Sequence, residues 1–343
     1  MTIHLQKIAI PLLLVLIALM QFHISYAKEQ AQPKLIKLRT IHLPYIASTP
    51  LLIAEEEGYF TEQGLQVEFI KMTEGVKGLP ALIKGDLDVI PDTIYPSYLN
   101  AIARGANIKI VADRGYLSST GCTYSAFMAR RALVEQGRLN NISQMKGLRF
   151  ASVQASSIAA YSFDKMLSKE GLPTVDVETV YIQMPARLDA LERGSLDVAF
   201  CTEPWVTRVL QAGHAVIWKP IHHITPNFQL AFLMYGPTLL EKNPDAGRRF
   251  MIAYLKGVRQ YNQGKTKRNL EIMAKHTGLD QELLQKCCWQ AFRNDGRINA
   301  DSILDFQSWA LKKGFLDKVV PPDQFWDPSF IEYANKVLGE SKK

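Results

Sequence analysis

Residues 79–89 read LPALIKGDLDV, and residues 188–198 read LDALERGSLDV. Seven of the eleven positions are identical, Lys84 answers to Arg193, and the two phrases start 109 residues apart. Each phrase is followed by a Pro (Pro96, Pro204), a Gly nine residues later (Gly105, Gly213) and a short apolar run. Pro suits the first position of a helix, where a missing N–H costs nothing, and Gly suits the stop. Each copy therefore reads helix, Gly turn, short strand through Asp-Val, loop, helix, strand.

The pattern extends upstream of both copies. Residues 34–42 form an expected strand, Thr49 with Pro50 opens a helix that stops at Gly58, and LQVEFIKM is a second strand. In the other half KGLRFASV, SIAAYSFDKMLSKEG and VETVYIQM repeat the order strand, helix, strand. A solenoid would repeat more often and at a shorter period. Two copies of about a hundred residues each predict two similar α/β lobes. From about Pro226 the spacing becomes helical, in NPDAGRRFMIAYLKGVRQYNQG, KRNLEIMAKHTG, DQELLQKCCWQAF and DSILDFQSWALKKG. This tail is expected to return to the first lobe. The chain would then cross between lobes near residues 121–124 and again near 221–228. Its 343 residues exceed the usual size of a single core, which fits the same division.

At the N-terminus, Lys7, the apolar run IAIPLLLVLIALM and Ser25-Tyr26-Ala27 have the plan of a secretory signal peptide. The run falls short of the ~20 apolar residues that span a bilayer, so cleavage after Ala27 and a soluble exported protein are expected. The boundaries read from the sequence are a signal peptide over 1–27, a first lobe from 35–122 plus 226–343, and a second lobe from 123–225. The net charge of +7 comes without a dense basic tract, which argues against a nucleic-acid partner. Cys122, Cys201, Cys287 and Cys288 could pair in three ways in an oxidising compartment, and adjacent Cys287 and Cys288 are badly placed to bond each other. No Cys/His spacing suggests zinc, and no metal or cofactor is expected.

The phrases LPYIASTPLLIAEEEGYFTEQGLQVEFI, LIKGDLDV, KGLRFASVQASS and ALERGSLDVAFCTEPW, in this order, resemble exported substrate-binding proteins of ABC importers. The group in question handles nitrate, alkanesulfonates, taurine and thiamine-pyrimidine precursors. The resemblance covers about residues 35–264. It implies the two-lobed periplasmic-binding-protein fold of the second type. Each lobe would be a mixed, mostly parallel sheet flanked by helices, with a helical C-terminal tail. It also implies a ligand cleft between lobes that closes on binding, an inner-membrane ABC permease as partner, a monomer, and a periplasmic location.

In open α/β sheets a ligand sits in the crevice outside the carboxyl ends of the strands. Each LDV strand would thus deliver its following loop to the cleft, while Asp88 and Asp197 themselves hold turn geometry. Ser48 and Thr49 stand at one helix start, and Gln154, Ser156 and Ser157 at its counterpart. Free N–H groups there suit an anionic or carbonyl group, although plain capping explains the same residues. The loops IPDTIYPSY and AFCTEPW offer Asp92, Thr93, Tyr95, Glu203 and Trp205, and Tyr45 and Tyr116 follow other strands. Singly each aromatic reads as core; as a set at one end of the strands they suit a pocket.

Asp92 and Glu203 would penalise an anion and favour a cation or an N–H-bearing ring. No Arg or Lys lies in these short loops unless Arg114 or Arg187 leans in, which weighs against a sulfonate. A small organic molecule is therefore expected over a bare inorganic anion. No GxSxG, P-loop, GxGxxG or HExxH is present, so no enzyme is expected. Two alternatives stand beside the receptor reading. One is a pyrimidine-synthesis enzyme on the same scaffold, whose clustered Cys motif is missing here. The other is a sensor that docks on a receptor kinase.

Overall fold

The structure is a computed structural model that describes residues 35–173 and 176–339. The expected signal peptide over 1–27 lies outside the described residues. Ten strands form two five-stranded sheets. The first contains β1 (Ile36–His42), β2 (Leu65–Lys71), β3 (Val89–Thr93), β4 (Lys109–Asp113) and β10 (Ala231–Tyr235). The second contains β5 (Ser125–Arg130), β6 (Arg149–Ser152), β7 (Glu178–Tyr181), β8 (Val198–Thr202) and β9 (Ala215–Pro220).

Their orders are β2-β1-β3-β10-β4 and β7-β6-β8-β5-β9, which superpose strand for strand. β1 and β3 run parallel, as do β6, β7 and β8, while β10 and β5 run antiparallel to both of their neighbours. Each sheet thus takes its one reversed strand from the chain as it arrives from the other sheet. The β10 segment, AFLMY, falls within the stretch expected to be helical. All five of its residues are buried, so it lacks the alternation that marks a half-exposed strand.

The duplicated phrase has a duplicated job. The Asp88 carboxylate accepts the backbone N–H of Arg39 at 2.7 Å, and Asp197 accepts that of Arg149 at 2.9 Å. In both copies the Asp N–H returns to the carbonyl of the same Arg, at 3.0 Å. An aspartate thus pins the start of the LDV strand to the parallel strand beside it, β1 or β6. The Gly turns before them take positive φ, +83° at Gly85 and +71° at Gly194, where a Cβ would be strained.

Between the sheets the chain runs from Asp113 to Ser125 and back from Pro220 to Ala231. These two connections lie side by side. Leu117 N–H donates to the Phe228 carbonyl at 2.9 Å, Asn227 N–H to Leu117 at 2.8 Å, and Leu230 N–H to Gly115 at 3.1 Å. Tyr116 N–H donates to Ala291 at 3.1 Å, so a C-terminal segment joins as a third chain. Cys122 and Cys288 form a disulfide here, with 5.6 Å between their Cα atoms. Cys201 and Cys287 are buried free thiols.

The apolar interior is not divided into two isolated cores. One cluster reaches from Ile41 and Ile90 under the first sheet to Phe127 and Phe150 in the second. Tyr161, Phe228 and Phe306 make the join, with Tyr161 at 5.3 Å from Phe228 and 5.6 Å from Phe306 between ring centroids. The C-terminal helices close around this frame. Pro244–Tyr261 packs on Thr49–Glu56 so closely that a Cβ on Gly257 would fall 2.2 Å from the Pro50 carbonyl oxygen.

The helix Ala300–Lys312 bridges both halves. Its Asp305 pairs with Lys165 and accepts from Tyr161 at 2.6 Å, and its Trp309 donates to Asp164 at 3.0 Å. Just beyond it, Asp317 pairs at 2.7 Å with Arg104, which follows the helix Pro96–Ala103.

Candidate functional site

The carboxyl ends of β3 and β4 carry buried polar groups. Asp92, on β3, is buried, and one carboxylate oxygen accepts from the Tyr98 hydroxyl at 2.6 Å. The other accepts the Thr93 N–H at 2.8 Å, and the Val76 N–H also donates to this carboxylate. The 3₁₀ turn Gly75–Gly78 presses onto it, since a Cβ on Gly75 would fall 2.5 Å from the Asp92 Cγ. Burial pushes the Asp92 carboxyl up to about 6, against the pull of Tyr98, Thr93 and Arg114.

Arg114 follows β4 directly and is only 2% exposed. One terminal nitrogen donates to the Ser48 hydroxyl at 3.0 Å, while its Nε has no partner among the described residues. Burial works against the guanidinium charge, and Asp92 is the strongest of the groups that sustain it. A buried cation with a free donor, next to a buried carboxylate, is an arrangement that costs stability unless something uses it. The sequence raised Arg114 only as a residue that could lean in, because its neighbours in the chain do not mark it.

A cavity of about 350 Å³ opens on the far side of Val76, whose N–H donates to Asp92. From the first half of the chain Val76, Tyr95, Pro96, Ser97 and Asn100 line it; from the second half, Gln154 and Ser156; and Phe315 comes from beyond the bridging helix. Three of the residues singled out in the sequence, Tyr95, Gln154 and Ser156, therefore meet on one wall-to-wall space. Tyr95 caps the N-terminus of Pro96–Ala103, and its hydroxyl bonds with Thr93. Burial, with Asp92 nearby, pushes that phenol up to about 12, so it stays a neutral donor. Gln154 is exposed, and its amide reaches the Ser156 hydroxyl at 3.5 Å.

The other candidates take other places. Ser48 is buried between the Leu43 carbonyl, to which it donates at 2.7 Å, and Arg114. Thr49 is the first residue of its helix rather than a cap, and its hydroxyl donates back to the Ile46 carbonyl at 2.7 Å. Ser157 caps Ile158–Lys169 by accepting the Ala160 N–H at 3.3 Å. Tyr45 is 48% exposed and donates to the Thr73 carbonyl at 2.9 Å.

Glu203 is buried and occupied within the protein. Its carboxylate accepts from the Thr207 N–H at 3.0 Å, the Thr207 hydroxyl at 2.8 Å and the Cys288 N–H at 2.9 Å. Trp205 opens the next helix, half-buried, with the Arg208 guanidinium 4.7 Å from its ring centroid. Tyr116 lines a separate, smaller cavity at the connections between the sheets. Arg187 is fully buried under the second sheet, donating to the carbonyls of Ile182 and Phe200. Tyr98, Val76, Ser97, Asn100 and Phe315 carry no sequence signal of a site. They are ordinary core and surface residue types brought here by the fold.

The fold is shared with known structures. The aliphatic sulphonate binding protein SsuA from Escherichia coli aligns at a TM-score of 0.69 and 15% identity, covering 85% of this chain and 97% of that one. The nitrate-binding protein NrtA from Synechocystis PCC 6803 aligns at 0.69 and 13% identity, covering 90% of each chain. The desulfurization enzyme DszB also aligns, at 0.65 and 16% identity over 88% and 99%. No curated protein is similar enough in sequence to count as a match. The family model described as NMT1/THI5 like matches residues 46–263, well over half of the sequence. Two facing sheets of matching strand order, a cleft where their strands end and this match lead to one assignment: the chain belongs to the NMT1/THI5-like family.

Proposed function

We propose that the chain is an exported, periplasmic solute receptor that holds a small organic molecule and hands it to an inner-membrane ABC permease. The observation that carries the reading is the 350 Å³ cavity, whose walls come from both halves of the chain. A solute touching Tyr95 on one side and Gln154 and Ser156 on the other binds best when the halves are together, so it favours closure. The volume suits a small organic compound.

The polar groups on the cavity walls are the neutral ones of Tyr95, Ser97, Asn100, Gln154 and Ser156. Neutral donors and acceptors support an uncharged or N–H-bearing organic ligand over a lone inorganic anion, which would need a cationic partner. The rings of Tyr95 and Phe315 add flat apolar area. An enzymatic reading has one observation in its favour, the fold shared with DszB. Against it, both free cysteines are buried, and burial pushes each thiol up to about 12, leaving no thiolate to act as nucleophile.

The reading is tested by thermal unfolding against a panel of sulfonates, pyrimidines and carboxylates. A true ligand at a hundredfold over its Kd adds about 2.7 kcal/mol. At about 2.1 cal/mol/K of unfolding entropy per residue, a chain of this size gains roughly 1.5 °C per kcal/mol, so the midpoint rises by about 4 °C. A midpoint that none of the panel moves contradicts the reading.

A further inference from the structure

The smaller cavity, about 220 Å³, shares no lining residue with the first. Its walls are the two connections between the sheets and the C-terminal chain that pairs with them. Tyr116, Cys122 and Tyr124 come from the first connection, His222 from the second, and Trp289 and Ala291 from the third chain. The Cys122–Cys288 disulfide ties one wall to the residue next to Trp289 on the other, which fixes their separation. From these walls we infer a second ligand site, which takes a neutral single-ring aromatic compound carrying one hydroxyl or N–H donor.

Three properties set that chemistry. The volume lies below the range of sites for drug-sized ligands and suits one ring. Three aromatic side chains, Tyr116, Tyr124 and Trp289, supply flat faces for it. His222 supplies the polar contact. It is 8% exposed, lines the cavity, and among the described residues its side chain makes no hydrogen bond, with the His223 ring 4.4 Å away between centroids. Burial, and then His223, lower its basicity, so at neutral pH the imidazole keeps a free acceptor nitrogen.

Three rings could also form a cage for an organic cation. The Arg293 guanidinium, 3.9 Å from the Tyr116 ring centroid, opposes that by already serving as the cation on this ring. Because the walls are the segments that join the sheets, a molecule bound here meets the chain where closure must bend it.

The test is a ¹⁹F NMR titration of the purified full chain with 4-fluorophenol. Saturable binding is expected. His222→Phe, which keeps a flat ring but removes the acceptor, and Ala291→Phe, which fills the space, should each weaken it at least tenfold. Ser156→Trp, in the larger cavity, should leave it unchanged, and 4-fluorobenzylammonium should bind at least tenfold more weakly than the phenol. Circular dichroism melting confirms that each variant is folded. A titration that does not saturate, affinity retained in both cavity variants, affinity lost in Ser156→Trp, or a cation that binds as well as the phenol overturns the inference.

Discussion

Asp92 and Arg114 form the most consequential pair in the chain, and only one of them was legible. Asp92 follows a recognisable Asp-Val strand, so its position at a strand end could be read. Arg114 belongs to a connection whose path depends on the other half of the molecule. The pair makes stability depend on pH in a calculable direction. The ordinary value for an aspartate is 3.8, and burial raises Asp92 to about 6. Between these values the native state holds a proton that the unfolded chain has released, so this group's contribution to stability falls as pH rises from about 4 to 6. Two pKa units correspond to about 3 kcal/mol. Denaturant unfolding of Asp92→Asn alongside the native chain isolates the effect. The stability difference, native minus variant, should fall by about 3 kcal/mol between pH 4 and pH 7. A difference constant across that range would mean that Asp92 titrates normally.

At the scale of elements, the duplicated phrase was read correctly as helix, turn and strand, but Asp88 and Asp197, read as holding local turn geometry, instead brace a strand 48 or 49 residues away. Other elements escaped. β10 is a five-residue apolar run buried on all sides, and its role as the central reversed strand is set by the opposite half of the chain. The Cys122–Cys288 pairing was one of several left open, because 166 residues separate the partners. The 3₁₀ turn Gly75–Gly78 was also silent, yet it holds Val76 on the cavity and Gly75 against Asp92. Gly75→Ala would force this turn away from the carboxylate. Overpacking of this kind costs about 1–3 kcal/mol, and it moves a lining residue of the site. A loss of that size in denaturant unfolding is expected, with weaker binding of whichever compound stabilises the native chain. Unchanged stability would show that the turn is not seated on Asp92.

At the scale of the molecule, two facts were visible from the start: the chain repeats itself, and its strands end in polar and aromatic loops. Both follow from short-range pattern. What pattern could not supply is how the halves are joined. The apolar cluster runs through Tyr161, Phe228 and Phe306, so the halves share an interior at the connections while remaining open where Tyr95 faces Gln154. The Ala300–Lys312 helix and Asp317 just beyond it add ion pairs and hydrogen bonds to Ile158–Lys169 and to Arg104, more than a hundred positions away in sequence. Those exposed pairs contribute little individually, so the shared apolar interior sets how the halves meet.

The central claim is that one small solute is gripped between the halves at the 350 Å³ cavity. Native mass spectrometry tests it most directly, on the native chain and on Ser156→Trp, each equilibrated with the small-molecule fraction of a cell extract. A single adduct of small-molecule mass on the native chain, missing from a Ser156→Trp variant with the same unfolding midpoint, is the predicted result. A bare native chain, or an adduct that the variant retains, would contradict it.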